Sequence, residues 1–433
     1  MIVVTVYKKY FFMSLHNNYP DNKTIIDIQW LAKQIALNMQ RYYAVKDKYN
    51  TDEKRQELED FLIKRFAEVI VSLPNVDAQQ YKEEFLKKVE PILYEVDLHM
   101  NLGLVNKKYR EDILEKQAPG IMYSEDKKTA YFPIAIYGPP NNDEGLAQAL
   151  ANNYGFQLQP DNNQLIPSRV GCVKITEFYN PYFNTEILDP NSIGANKVRE
   201  VMQEMRDKSA LIIDVRGCPG GSPEMMRLLI SYFFSEGTPI NSYYTPLKAL
   251  HKNTHPDVKI DPVDEFKTIK QPFKLEMPVY ILINDQTFSA GESFAYAMQQ
   301  MGKHNVEGKK ELITLIGTKT GGGAHRPCPF PFIDYDPETQ QGKINQEWYI
   351  CLPFVNNINA HSETNWEDTK DGVKGVVPDP VITANQDALQ VALQRIEYSQ
   401  KIISDNQATL FSQPSDQVSL TKAKIKPDAN NRP

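Results

Sequence analysis

Ser289 is placed to do chemistry at a turn, in the run Pro278-Val-Tyr-Ile-Leu-Ile-Asn-Asp-Gln-Thr-Phe-Ser-Ala-Gly-Glu292. An apolar strand ends, a turn follows, and the serine opens a helix whose free N–H groups and dipole would stabilise an oxyanion. The same Ser289-x-x-Glu292 spacing is that of a capping box, and most such serines are only caps. Leu211-Ile-Ile-Asp-Val-Arg-Gly-Cys-Pro-Gly-Gly221 is a second strand entering a turn. Its glycines let the backbone bend sharply and aim N–H groups at an anionic atom. Asp214 and Arg216 are spaced for a supporting ion pair. Asp97-Leu-His-Met-Asn-Leu-Gly103 supplies His99, and an imidazole, which titrates near pH 6.5 when unperturbed, can take a hydroxyl proton.

Other segments are weaker. The remaining histidines are His16, His251, His255, His304, His325 and His361, and the His251/His255 pair runs into Pro256, which makes a poor metal site. Gly317-Thr-Lys-Thr-Gly-Gly-Gly-Ala-His325 follows a strand as a phosphate loop would. It lacks the Gly-Lys-Ser/Thr order and the following helix, so nucleotide binding is rejected. Asn365 to Asp379 offers Glu367 and Asp371, either of which would orient a histidine or simply sit in a solvated loop.

Composition excludes several classes. With 48 basic and 55 acidic residues the net charge is −7, which gives no footprint for nucleic acid or anionic lipid. Cys172, Cys218, Cys328 and Cys351 are far apart and read as buried thiols, with no cofactor or metal implied. No apolar run reaches the roughly 18 residues of a membrane span. At the N-terminus the lysines follow the apolar residues, which argues against a signal peptide.

These residues need elements to hold them. Apolar stripes predict three helices over 24–94, with Thr24 and Asp27 as a capping box and Pro74 and Pro91 as stops. Residues 1–23 are an extension, and 104–168 are β-rich. Strands at Cys172–Phe178, Ala210–Val215, Val279–Ile283 and Leu312–Ile316 alternate with helices at Ala195–Lys208, Pro223–Ser235 and Ala290–Gly302. That alternation predicts an α/β fold with a mostly parallel sheet and covering helices. The α/β unit is expected over 95–403, and a polar, disordered tail over 404–433.

Taken in order, Asp214-x-Arg-x-x-Pro-Gly-Gly221, Thr287-Phe-Ser-Ala-Gly-Glu292, Gly317 to His325 and Gly375-Val-Val-Pro-Asp379 resemble one serine peptidase family. It contains the tail-specific proteases, the tricorn protease core and interphotoreceptor retinoid-binding protein, and the last branch is the most similar. The resemblance spans roughly residues 171–396 and implies a ClpP/crotonase-like fold. It implies Ser289 as nucleophile, with the N–H groups of Gly220, Gly221 and Ala290 as oxyanion hole. It implies His99 as base, with Glu367 as its partner and Asp371 as competitor. The lysine of the tail-specific branch aligns with Gly323, so a Ser-Lys dyad is disfavoured. Leu98, Cys218 and Thr318 depart from the family pattern without removing a reacting group.

The implied activity is peptide-bond hydrolysis on unstructured peptide or protein segments, with homo-oligomerisation left open and export common among relatives. The alternative is a non-catalytic binding protein on the same fold. Its lipid or extended peptide would lie in a cleft lined by the 330–335 segment and Tyr179, Tyr182, Tyr243 and Tyr244. A non-catalytic interaction protein rests on the polar tail alone.

Overall fold

The computed structural model describes residues 26–43, 48–73, 76–104, 122–123, 130–131, 143–157, 166–182, 189–244, 264–335, 342–367, 374–383 and 386–412. Three helices come first: α1 (Ile28–Tyr42), α2 (Asp52–Val71) and α3 (Ala78–Val96). Each starts on a side-chain cap. Asp27 accepts from the N–H groups of Gln29 and Trp30, Thr51 from Lys54, and Asp77 from Gln80. Asp27 alone is therefore seen as the first cap, because Thr24 lies outside the described residues. α3 runs through Pro91 instead of stopping there. Ile92, Leu93 and Val96 are buried beyond the proline, and their apolar burial outweighs the single hydrogen bond it forfeits.

β1 (Asn101–Leu104) follows, then a short antiparallel pair, β2 (Met122–Tyr123) and β3 (Ala130–Tyr131). The expected β-rich segment is only partly described, and it includes a helix, α4 (Asp143–Ala151), before β4 (Phe156–Gln157). The alternating region then runs β5 (Val170–Ile175), α5 (Ile193–Met205), β6 (Ala210–Asp214) and α6 (Pro223–Ile230). After β7 (Pro239–Tyr244) and β8 (Asp264–Lys267) it continues with β9 (Val279–Ile283), α7 (Ala290–Lys303) and β10 (Ile313–Gly317). β11 (His325–Tyr335), β12 (Gly342–Asn359) and α8 (Ala388–Ser412) complete it. α8 carries helical order past residue 404, where the polar tail was expected to begin.

The site-bearing sheet has the order β10-β9-β6-β5-β4, parallel throughout except for β4. Its strands are apolar on both faces, and their period of two sorts the residues. Leu211, Ile213, Ile281 and Ile283 join the main core with residues of α5, α6 and α7. Ala210, Ile212, Tyr280 and Leu282 face the other way, onto Ala388, Leu389, Ala392 and Ile396 of α8. The main core is continuous with the helical segment through Leu62, Phe66, Phe85 and Val89.

A second, antiparallel sheet has the order β1-β12-β7-β8, with β11 also paired to β12. β1 lies against β12 from Asn101 opposite Cys351 to Leu104 opposite Trp348. This pairing brings the end of α3 to the carboxyl ends of β6, β9 and β10, where ligands gather in open α/β sheets. All four cysteines are buried free thiols. Among the described residues no helix is long and apolar enough to cross a membrane.

Candidate active site

β9 ends at Ile283, and the turn after it is fixed before it reaches the serine. Thr287 Oγ1 donates to Val215 O at 2.9 Å and accepts from Asn284 N at 3.0 Å, while Phe288 N donates to Cys218 O at 2.9 Å. Ser289 then adopts φ +51° and ψ −118°. For a residue with a Cβ this is a sparsely populated conformation, costing of order 1–3 kcal/mol, and it survives only where the surroundings impose it. The serine precedes the first turn of α7, next to the N–H of Ala290.

Beside it the chain after β6 turns through Gly220 and Gly221, at φ +105° and +123°. A Cβ on Gly220 would stand 2.7 Å from Ser289 Cβ and 2.8 Å from Ala290 N, so only glycine lets this turn touch the serine. Phe178 N donates to Gly220 O, and Ser222 N to Phe178 O, in a parallel bridge between Phe178 and Gly221. In such a bridge Gly221 N–H points away from Phe178. Below the turn, Arg216 grips Asp214 through Nε and Nη2 at 2.8 and 2.7 Å, and reaches Asp387 at the start of α8 at 3.1 Å. The expected ion pair is present, with a second carboxylate.

Glu292 does more than cap. Its buried carboxylate accepts from Ser289 N (2.9 Å), Thr320 Oγ1 (2.5 Å), Gly322 N and Gly323 N (both 2.7 Å). One side chain therefore clamps the glycine-rich loop after β10 onto the serine turn. Burial pushes its pKa up to about 7 against the pull of those four hydrogen bonds. A Cβ on Gly323 would collide with the ring of Phe288 and stand 2.6 Å from His99 Cε1. Glycine at 323 thus lets the loop lie directly against Phe288 and His99.

His99 arrives from the end of α3. Asp97 Oδ1 accepts His99 N–H at 2.9 Å and lies 3.9 Å from His99 Nδ1, and Tyr43 OH donates to Oδ2 at 2.6 Å. The imidazole lies 4.6 Å from the ring of Phe288, the residue before Ser289. Its Nε2 is shut off from solvent and has no hydrogen-bond partner. Burial holds its pKa below the ordinary histidine value, against the opposite pull of Asp97 and Glu367.

Glu367 is 4% exposed, and its closest histidine contact is His325. Oε1 accepts from Ala324 N at 2.5 Å and lies 3.3 Å from His325 Nδ1, while Oε2 lies 3.1 Å from Lys374 Nζ. Burial raises its pKa, but His325, the Ala324 N–H and Lys374 outweigh that and hold it at about 2. The expected pair of His99 with Glu367 is not made at contact distance. Asp97 stands beside His99, and Asp371 lies outside the described residues.

A cleft of about 180 Å3 opens at the centre, lined among others by Gly221, Ser289, Ala290, Gly323, His325 and Trp366. In the sequence His325 is only the end of a glycine-rich segment. A histidine at the end of the loop that follows a parallel strand does not by itself reveal its partner. Among the described residues no group of three His, Cys, Asp or Glu side chains converges as a metal site requires.

Residues 169–335 match the model of peptidase family S41. Among solved structures, a Parabacteroides merdae protein described as a peptidase aligns at 18% identity and TM-score 0.45, over 85% of this chain and 96% of that one. A Streptococcus agalactiae lipoprotein aligns at 14% identity and TM-score 0.42, over 88% of this chain and 99% of that one. The photosystem II D1 C-terminal processing protease aligns at 11% identity and TM-score 0.36, over 83% of this chain and 94% of that one.

Proposed function

Since residues 169–335 belong to peptidase family S41, we propose that this chain is a serine peptidase in which Ser289 is the nucleophile and His99 its base. The observation that carries the reading is the strained backbone of Ser289 at a helix start, pressed against the Gly220 turn. A mere cap has no need of that conformation.

The mechanism follows from the donors. Ser289 Oγ attacks the scissile carbonyl while its proton passes to His99 Nε2, the buried nitrogen that lacks a partner. Asp97 orients the ring, and Glu367 favours the imidazolium by charge from farther away. The negative charge that develops on the carbonyl oxygen is met by the N–H groups of Gly221 and Ala290, with Gly220 shaping the turn. One such donor is worth about 3 kcal/mol. The imidazolium then protonates the departing amine. The substrates are peptide or protein segments extended enough to enter the cleft.

The test is labelling by a fluorophosphonate probe, mapped by mass spectrometry. Modification at Ser289 that is abolished in Ser289→Ala and His99→Ala is expected; labelling unchanged in Ser289→Ala sinks the reading. The lipid-binding alternative finds little support in the cleft, since about 180 Å3 is less than the roughly 300 Å3 at which small-molecule sites begin.

A further inference from the structure

The carboxylate that holds His99 is itself held by the helical segment. Asp97 Oδ1 accepts the His99 main-chain N–H at 2.9 Å, and Met100 N donates to Asp97 O at 3.0 Å, so this aspartate is the pivot of the turn that carries the imidazole. Its other oxygen, Oδ2, accepts from Tyr43 OH at 2.6 Å, across 54 residues of chain. That is the length of a hydrogen bond from a hydroxyl to an ionised oxygen, about twice as strong as one between neutral groups. Tyr43 is the buried residue on which α1 ends. Burial first, and then the Asp97 charge, push its phenol well above the ordinary tyrosine value, so it stays a donor across neutral pH.

A second contact falls one residue away. Lys48 Nζ donates to Val96 O, at the end of α3, at 2.8 Å, and lies 5.8 and 5.2 Å from the ring centres of Tyr43 and Tyr49. The chain between α1 and α2 therefore grips residues 96 and 97, where α3 gives way to the His99 turn. Fastening one helix to another needs only rings, as Phe66 of α2 against Phe85 of α3 shows. The Tyr43 hydroxyl goes instead to the one carboxylate that holds the histidine turn.

Resting on the serine-peptidase reading, we propose that Tyr43 is a positioning residue for the reaction: its hydroxyl fixes the Asp97 carboxylate, which sets both the turn and the charge beside His99 as that ring takes the Ser289 proton. The helical segment is thereby a working part of the peptidase, although it lies outside the matched residues 169–335. The charge leaves a mark in the pH profile. Burial lowers the His99 pKa, Asp97 and Glu367 pull it up, and His325 pushes it down. An Asp97 carboxylate free to swing away from the ring pulls less, so the His99 pKa falls further and the acid limb of the rate moves to lower pH.

The experiment compares the full chain with Tyr43→Phe, Asp97→Ala and the double variant. It reads fluorophosphonate labelling of Ser289 across acid and neutral pH, beside urea titrations of each protein. Tyr43→Phe keeps the ring and removes only the oxygen. It should remain folded and slow labelling by about 10-fold, the size of one hydrogen bond to a charged group, with the acid limb displaced downward. On p-nitrophenyl acetate the loss should fall in kcat and leave KM within about twofold. In the Asp97→Ala background the same change should cost less than about twofold more, because its effect passes through that carboxylate.

Wild-type labelling in Tyr43→Phe, a slow rate that only reflects unfolding or leaves the acid limb in place, or additive losses in the double variant overturns the role of Tyr43 while leaving Ser289 and His99 in theirs. Absence of labelling at Ser289 in the wild type removes the peptidase reading, and this proposal with it.

Discussion

The Asp97–His99 and Glu367–His325 pairs reach one serine by different routes. Asp97 and His99 are near neighbours in sequence, and backbone bonds at the end of α3 hold them together. His325 opens β11 and Glu367 follows the end of β12, and the pairing of those strands, with His325 opposite Asn356, brings the two together at one end of the hairpin. His99 packs against Phe288 and His325 borders the cleft, but both pairs are largely buried, the second more deeply than the first. The two chemically similar pairs therefore differ less in burial than in how far apart in the chain their partners lie.

The largest effect should come from His99→Ala, with labelling of Ser289 slowed by about 10³-fold or more, as expected for loss of a general base. An equal fall in His325→Gln would erase the contrast. Gly220→Ala puts a methyl group onto Ser289 and the Ala290 N–H, so it should cost about 10²- to 10³-fold in ester turnover, comparable to losing an oxyanion donor. Both pairs should suffer from it alike.

Glu367→Gln tests the second pair through stability. The Glu367 pKa is lowered from 4.5 to about 2, so the ionised carboxylate stabilises the fold above pH 4.5, by about 3 kcal/mol. That contribution fades as pH falls from 4.5 towards 2. Urea titrations of wild type and variant should therefore differ most at neutral pH and converge in acid; a difference independent of pH would contradict the pairing. The first pair is sharpened by the pH profile of labelling. Because burial lowers the His99 pKa, its neutral, proton-accepting form persists below pH 6.5, and the acid limb of the labelling rate should lie below that value. The smallest effect should come from Asp387→Asn, within about 1 kcal/mol, since its contact with Arg216 is partly exposed.

Much of this was legible in the sequence because it is local. Apolar strands bounded by glycine turns announce β6, β9 and β10 to within a residue or two, and the four motifs fall at their carboxyl ends. The Asp214–Arg216 pair and the buried cysteines follow from short spacing and chain length. What was hidden depends on distance in the chain. Glu292 reads as a cap, because the N–H groups of Gly322 and Gly323 that complete its environment lie on another loop. Glu367 reads as a partner for whichever histidine lies nearest, and only the fold of β11 and β12 selects His325. Pro91 and the residues after 404 misled for a different reason. Both break a local rule that tertiary burial or helix continuity overrides, as Val96 in α3 and the run of α8 to Ser412 show.

The pairing of β1 with β12 also sets an order in time. Ser289 and both glycine turns leave the ribosome before Trp348 to Cys351, the segment on which β1 docks. Until that strand emerges, His99 has been synthesised but has no place beside the serine, and Glu367 comes later still. A nascent or prematurely ended chain carries a serine with no proton acceptor at its side. The complete constellation of Ser289, His99 and Glu367 therefore exists only once most of the chain has been made.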